Sequence, residues 1–280
     1  MTRLKWLDIS STRVTDAGLV HLRGLQDLQH IDLGGSRVTD VGLIHLAGLM
    51  SLEDIGLGES QGTDAGLVHL KGLKNLQKLS IGGSLLTDAG LAHLKGLTNL
   101  NELCISSSQV TDAGFEQLKG LTNLLELSAC ETSITDAGLA HLKGMESLRY
   151  LNLGKTRISS TGLAHLSGLK NFDTLFLYDT DVTDAGLEHL RGLTSLRRLY
   201  LEGTQVGDAG LAHLAGLTKL EQINLVRVSQ VTDAGLEHLK TLTCLEYLFL
   251  RGTQVTDEGI AELERALPKL HATKLRDDGI

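Results

Sequence analysis

One pattern, L-x-x-L-x-L-x-x-T-x-V-T-D-A-G-L-x-H-L-K-G-L-T-N, begins at Leu4 and returns at Leu28, Leu52, Leu76, Leu100, Leu124, Leu148, Phe172, Leu196, Leu220 and Leu245. The step is 24 residues from Leu4 through Leu220 and 25 to Leu245, with the extra residue in the stretch 226–229. A partial twelfth unit is expected to start at Leu270. A fixed period of this length means that every unit folds alike and stacks on its neighbours, so one repeat array is expected over 1–280.

Each unit reads as a short strand followed by a short helix. Leu148-Arg149-Tyr150-Leu151-Asn152-Leu153 alternates apolar and other residues with the period of a strand. In Thr135-Asp136-Ala137-Gly138-Leu139-Ala140-His141-Leu142-Lys143-Gly144, Thr135 or Asp136 offers an N-cap oxygen, Asp136 suits the positive helix end, and Gly144 suits a left-handed C-terminal residue. Such a unit is too small to bury its own apolar face; stacked units share theirs.

Composition removes several functions. The net charge of −8 offers no concentrated cation for nucleic acid. Apolar runs of only a few residues leave no span for a membrane, and the start of the chain has no secretory pattern, so a cytoplasmic location is expected. Three cysteines are too few for a disulfide framework. Cys104 and Cys130 fall on adjacent strands two residues out of step, about 8 Å apart by strand spacing and rise, and are expected to remain free thiols.

The L-x-x-L-x-L core resembles the leucine-rich repeat, and the resemblance runs over nearly the whole chain. Its 24-residue form is similar to bacterial arrays, including those of planctomycetes. The T-D-A-G-L segment resembles the cysteine-containing subclass found behind F-box domains, with Thr or Ser where that subclass has Cys. The resemblance implies an α/β leucine-rich-repeat solenoid (horseshoe), with parallel strands on the concave face and short helices on the convex face. The usual Asn at the ninth repeat position is replaced by Thr12, Ser36, Ser60, Ser84, Ser108, Thr132, Thr156, Thr180, Thr204, Ser229 and Thr253, whose hydroxyls are expected to bond backbone in the turn.

Two rows look chemical. His21, His45, His69, His93, His141, His165, His189, His213 and His238 share one helical position. Zinc needs three or four ligands converging about 2 Å from one point, whereas equivalent residues of stacked units point in parallel. The row is expected to be a half-exposed spacer that hydrogen-bonds along its length. The Asp row from Asp16 to Asp257 is assigned to helix-end electrostatics. No catalytic constellation, metal site or cofactor site is expected, and the chain is read as a non-enzyme.

Function is sought at positions three, five and seven, the side chains that packing leaves free. The early units are small or acidic there (Asp8, Asp32, Asp54, Gly56, Gly58), whereas Tyr150, Phe176, Tyr178, Arg198, Tyr200, Glu202, Tyr247, Phe249 and Arg251 gather within five consecutive later units. Phe176 and Tyr200 share a column and should touch. Exposed Tyr, Phe and Arg have the composition of interface hot spots, so these nine residues are the expected site for a protein or peptide partner. Two alternatives stand beside this: the substrate-recognition arm of a ubiquitin-ligase-like effector, implied by the F-box-type resemblance, and glycan binding through the aromatic patch. The long charged helix that Pro268 ends is expected to open a C-terminal cap over 256–280. The N-terminal edge has no such device and is expected to allow self-association.

Overall fold

A computed structural model describes residues 3–83 and 85–274. Ser84 of the hydroxyl row and the last residues of the expected cap, 275–280, lie outside the described residues. The chain divides into two compact units, Met1–Ser133 and Ile134–Ile280. In the first, β1 (Trp6–Asp8), β2 (His30–Asp32), β3 (Asp54–Gly56), β4 (Lys78–Ser80), β5 (Glu102–Cys104) and β6 (Glu126–Ser128) pair in parallel and in phase. In the second, β7 (Tyr150–Asn152), β8 (Thr174–Phe176), β9 (Arg198–Tyr200), β10 (Gln222–Asn224), β11 (Tyr247–Phe249) and β12 (His271–Thr273) do the same.

Each strand is three residues long because the chain turns directly after it. Where position five is Asp or Asn, its side chain accepts from the N–H two residues on: Ser10 to Asp8, Gly34 to Asp32, Gly154 to Asn152 and Val226 to Asn224, at 2.8–3.0 Å. Position eight is then left-handed in all eleven units, glycine at Gly35, Gly83, Gly203 and Gly252 but Ser, Glu, Lys, Asp or Arg in the rest. The ninth-position hydroxyl closes the turn on the carbonyl three residues back, as Thr156 does on Leu153 and Thr204 on Leu201 (both 2.6 Å). Ser229 departs from expectation. Val228, sealed in the interior, takes the ninth position, its N–H bonding Leu225 O, and Ser229 stands in solvent beside the inserted residue.

A helix follows each of β1–β11, in all but the last shorter than a regular helix. Most are four to six α-helical residues, several running on into a 3₁₀ turn, as Asp88–Leu91 does into Ala92–Leu94. Thr, rather than Asp, is the N-cap: the Oγ1 of Thr39, Thr63, Thr87, Thr111, Thr135 and Thr232 accepts from the second residue beyond. The aspartates have a larger task than helix-end electrostatics. Asp16 accepts the N–H of Thr39 (2.8 Å) on one oxygen and its hydroxyl (2.7 Å) on the other, so each carboxylate ties its unit to the N-cap of the next. The same pair recurs from Asp88 to Thr111, from Asp208 to Thr232 and from Asp233 to Thr256. At Asp136, burial works against the charge, but hydrogen bonds from Ser159 and Thr161 and from backbone N–H groups outweigh it and hold the pKa below the ordinary carboxylate range.

This staple explains the glycine of T-D-A-G. A Cβ on Gly90 would stand 2.3 Å from Asp64 Oδ1, and one on Gly210 would stand 2.4 Å from Asp184 Oδ1. A further tie comes from Asn75, Asn99, Asn123 and Asn171, whose amides donate to backbone carbonyls of the preceding unit at 2.8–2.9 Å.

The leucines of positions one, four and six and of the helices form one continuous apolar interior in each unit, with Phe115 and Phe172 filling leucine slots. Leu4, Leu7, Ile9 and Val14 of the first repeat are only half-buried. At the other end the helix Asp257–Ala266 buries Leu263, and Leu267 and Leu270 follow it inward. The pairing of Tyr247 with His271 counts the twelfth unit from Lys269, one residue before the expected Leu270.

Candidate binding surface

All nine predicted residues lie on the strand face of the second unit, since each middle residue of β7–β11 (Leu151, Leu175, Leu199, Ile223 and Leu248) points inward and is sealed. The structure brings three of the nine into one row. Phe176 and Tyr200 stack with centroids 4.0 Å apart and planes 8° from parallel, and Tyr150 leans on Phe176 at 5.2 Å and 52°. Because neighbouring strands are about 4.8 Å apart, rings stacked across them have normals running along the sheet, so rims and phenol oxygens face outward. Burial raises the Tyr200 phenol pKa, against the opposing charge of Arg198.

Tyr178 lies over Gly154: a Cβ there would meet its ring at 2.2 Å, so the missing side chain is the seat of the tyrosine. Tyr247 and Phe249 form a separate pair of positions, divided from Tyr200 by Gln222 and Asn224 of β10. Tyr247, 46% exposed, leans on His271 at 6.0 Å. Of the charged members, Glu202 is held by Arg227 (3.3 Å), which also reaches Asp179 (2.8 Å). Arg198 is half-exposed and 3.9 Å from Asp173, and Arg251 is exposed. The nine thus form an aromatic row and a distal pair, not one unbroken patch.

Trp6 was missed by the sequence reading. It occupies position three of the first unit, 62% exposed, and packs on His30 with centroids 4.7 Å apart. The outward-position rule that finds Tyr150 also finds Trp6. Conversely, Thr174 holds an outward position yet is buried.

The histidine row does not bond along itself. Arg23 Nε donates to His45 Nδ1 (2.9 Å), and Arg191 meets His213 Nδ1. Among the described residues no three His, Cys, Asp or Glu side chains converge to hold a metal ion. Cys104 and Cys130 are free thiols, Cys104 lying 3.7 Å from Ser106 Oγ. Among the described residues no helix is long and apolar enough to cross a membrane.

Parallel three-residue strands, backed by short helices over a leucine interior, define the leucine-rich-repeat fold. The Leucine Rich repeat family matches the chain at residues 24–47, 192–215 and 241–263. Among solved structures, the chain is similar to an internalin (inlF) of Listeria monocytogenes, at 22% identity over 98% of this chain and 88% of that one, with a TM-score of 0.65. A leucine-rich repeat protein of Leptospira interrogans is 16% identical over 91% and 74%, also at 0.65. The leucine-rich repeat ectodomain of the Arabidopsis thaliana receptor kinase GASSHO1/SCHENGEN3, solved in complex with CASPARIAN STRIP INTEGRITY FACTOR 2, is 17% identical over 97% of this chain and 35% of that one, at 0.54. No curated protein sequence matches the chain.

Proposed function

We propose that this chain is a non-catalytic scaffold that binds a protein or peptide on the strand face of β7–β11. The observation that carries the reading is the row Tyr150–Phe176–Tyr200, aromatic side chains held outward on a rigid sheet that needs none of them for its interior. Pre-ordered aromatics lose little entropy on binding, and the half-exposed Arg198 beside them adds a charged donor. A sugar ring packs on an aromatic face, whereas Phe176 and Tyr200 spend facing surfaces on each other and offer rims. This favours a polypeptide over a glycan. In this reading the chain works in the cytoplasm, where its cysteines stay reduced.

The test is a quantitative pull-down and affinity measurement comparing wild type with a Tyr178→Ala/Tyr200→Ala/Phe249→Ala variant of matched melting temperature. A polypeptide held by wild type should lose at least about tenfold in affinity, since such anchors are each worth about 1 kcal/mol or more. Equal affinity for both proteins would remove this face from consideration.

A further inference from the structure

The strand face of the first unit differs in kind, and nothing in the aromatic-row reading uses it. Its outward carboxylates include Asp8, Asp32, Asp54, Glu102 and Glu126. The one Lys at an outward position of β1–β6 is Lys78, and it is taken up by Glu102 at 2.5 Å. Asp8 and Asp32 accept N–H bonds from their own turns, which leave their charges uncompensated. Asp54 lies 3.5 Å from His30 Nδ1, a buried atom that makes no hydrogen bond. No cation among the described residues forms an ion pair with Glu126.

The resulting field registers at two groups. The Lys78 pKa is raised, first by the hydrogen bond it donates to Glu102 and further by the charges of Glu102, Asp54 and Glu126. The Glu126 carboxyl pKa is raised by burial and then by the charge of Glu102, with Lys78 opposing.

Beside this charge stands Trp6. One part of its ring covers His30, and the rest of the indole faces solvent. An indole face attracts cations, Arg and Lys side chains among them. Beside the row that runs from Trp6 through His30, Asp54, Lys78 and Glu102 to Glu126, the next column is low at Gly56 and Ser80, with Gly58 and Gly82 beyond them, which leaves room along that side for a partner's backbone.

From this juxtaposition we propose that the strand face of the first unit is a separate docking surface whose occupant is an extended basic peptide segment. It lies across β1–β6 with one Arg or Lys against Trp6 and the next cations over Asp54, Glu102 and Glu126. Five strand spacings span about 24 Å, which an extended segment of about seven or eight residues covers. Alternate side chains of such a segment face the sheet, so the cations need to be spaced two residues apart.

Trp6 is the only tryptophan of the chain, and its fluorescence therefore reads this surface alone. The probe is a synthetic peptide of about eight residues alternating Arg and Ser, with a Glu-Ser peptide of the same length as control. Titrated into wild type at about 50 mM salt, the Arg-Ser peptide should give a saturable fluorescence change with a Kd below about 1 mM. The affinity should fall at least about fivefold by about 300 mM salt. An Asp54→Asn/Glu102→Gln/Glu126→Gln variant should weaken binding about tenfold or more, since it removes three carboxylate charges and leaves Lys78 unpaired against the cationic probe. A Phe176→Ala/Tyr200→Ala variant should bind like wild type, which separates this surface from the aromatic row.

No saturable change would overturn the proposal. So would equal response to the Glu-Ser peptide, or undiminished binding by the neutralised variant. Should that variant unfold, wild-type titrations with both peptides across the salt range decide the matter alone: indifference to salt or to peptide charge sinks it.

Discussion

The two strand faces are built on the same hidden layer and share almost nothing above it. Position five runs Asp8, Asp32, Gly56, Ser80, Cys104, Ser128 in the first unit and Asn152, Phe176, Tyr200, Asn224, Phe249, Thr273 in the second. One residue earlier in the chain, Leu103 and Leu199 are equally sealed. Burial of the inward leucines, the Asp–Thr staple and the left-handed turn hold the backbone, and of these only the turn draws on an outward side chain, where position five is Asp or Asn. The outward face can therefore differ between units without cost to the fold, and a repeat array separates stability from recognition as few globular domains do.

The strongest way to break this comparison is to show that the hidden layer differs too. In an exposed helix Gly→Ala stabilises by about 1 kcal/mol. Here Gly90→Ala would press against Asp64 Oδ1 and Leu86 Cδ1 (2.3 and 2.8 Å), and Gly210→Ala against Asp184 Oδ1 and Val206 Cγ1 (2.4 and 2.9 Å). Both should instead destabilise, each by about 2–4 kcal/mol, from overpacking and a displaced charge-assisted hydrogen bond. Urea denaturation of the two variants is the check. A higher midpoint for either would mean that its glycine is not there for the carboxylate, and unequal losses would mean that the units are not the same machine.

That staple marks where reading the sequence stops. The repeat phase, the inward leucines, the hydroxyl turns and the Phe176–Tyr200 contact were all legible, because each follows from a period of two or 24 and from which faces must be covered. The partner of each Asp was not, since it lies 23 or 24 residues away and the sequence shows only an acid near a helix start. The left-handed residue at position eight was hidden as well, because Ser11, Glu59, Ser107, Glu131, Lys155, Asp179 and Arg227 carry no glycine signal. On the surface, the outward direction of all nine site residues was legible. So was the gap at β10, in Gln222 and Asn224. Ring orientation was not, since a side-chain torsion is decided by whichever neighbour occupies the next strand. Trp6 was legible and overlooked.

One repeat breaks the staple, and repairing it would sharpen the likeness of the hidden layers. Ser160 stands where ten other units have Asp, and its single hydroxyl meets Thr183 N–H and Oγ1 at 3.0 and 2.9 Å. That repeat is also where the helix, Gly162–Leu166, is 3₁₀ alone. Ser160→Asp would offer two charged acceptor oxygens to the same two donors and a negative charge to the helix start. The gain should be about 1 kcal/mol at neutral pH, read as a rise in melting temperature. Because a carboxylate stapled in this way is held below its ordinary pKa, as Asp136 is, the gain should persist to pH 5 and fade as the pH drops through the carboxylate range below about 4. An unchanged melting temperature at pH 7 would deny that the missing carboxylate matters.

The smallest effect tests the visible layers. Glu126 and Gln222 hold the same outward position in their units, third in the repeat, and Glu126 has a raised pKa through burial and the charge of Glu102. A carboxyl with a raised folded-state pKa favours the fold while protonated and loses that contribution as the pH rises through the folded value, so at neutral pH ionised Glu126 is a mild liability. Glu126→Gln gives β6 the side chain that β10 already has. It should raise the melting temperature at pH 7 by an amount equivalent to a few tenths of a kcal/mol, kept small by solvent screening of an exposed charge. The advantage should shrink toward zero as the pH falls below about 4, where Glu126 becomes protonated in folded and unfolded chains alike. It should shrink at neutral pH too when about 0.5 M salt screens Glu102 from Glu126. A stabilisation unchanged by pH and salt would trace to packing instead, and the acidic face of the first unit would then carry no stored repulsion for a cationic partner to relieve.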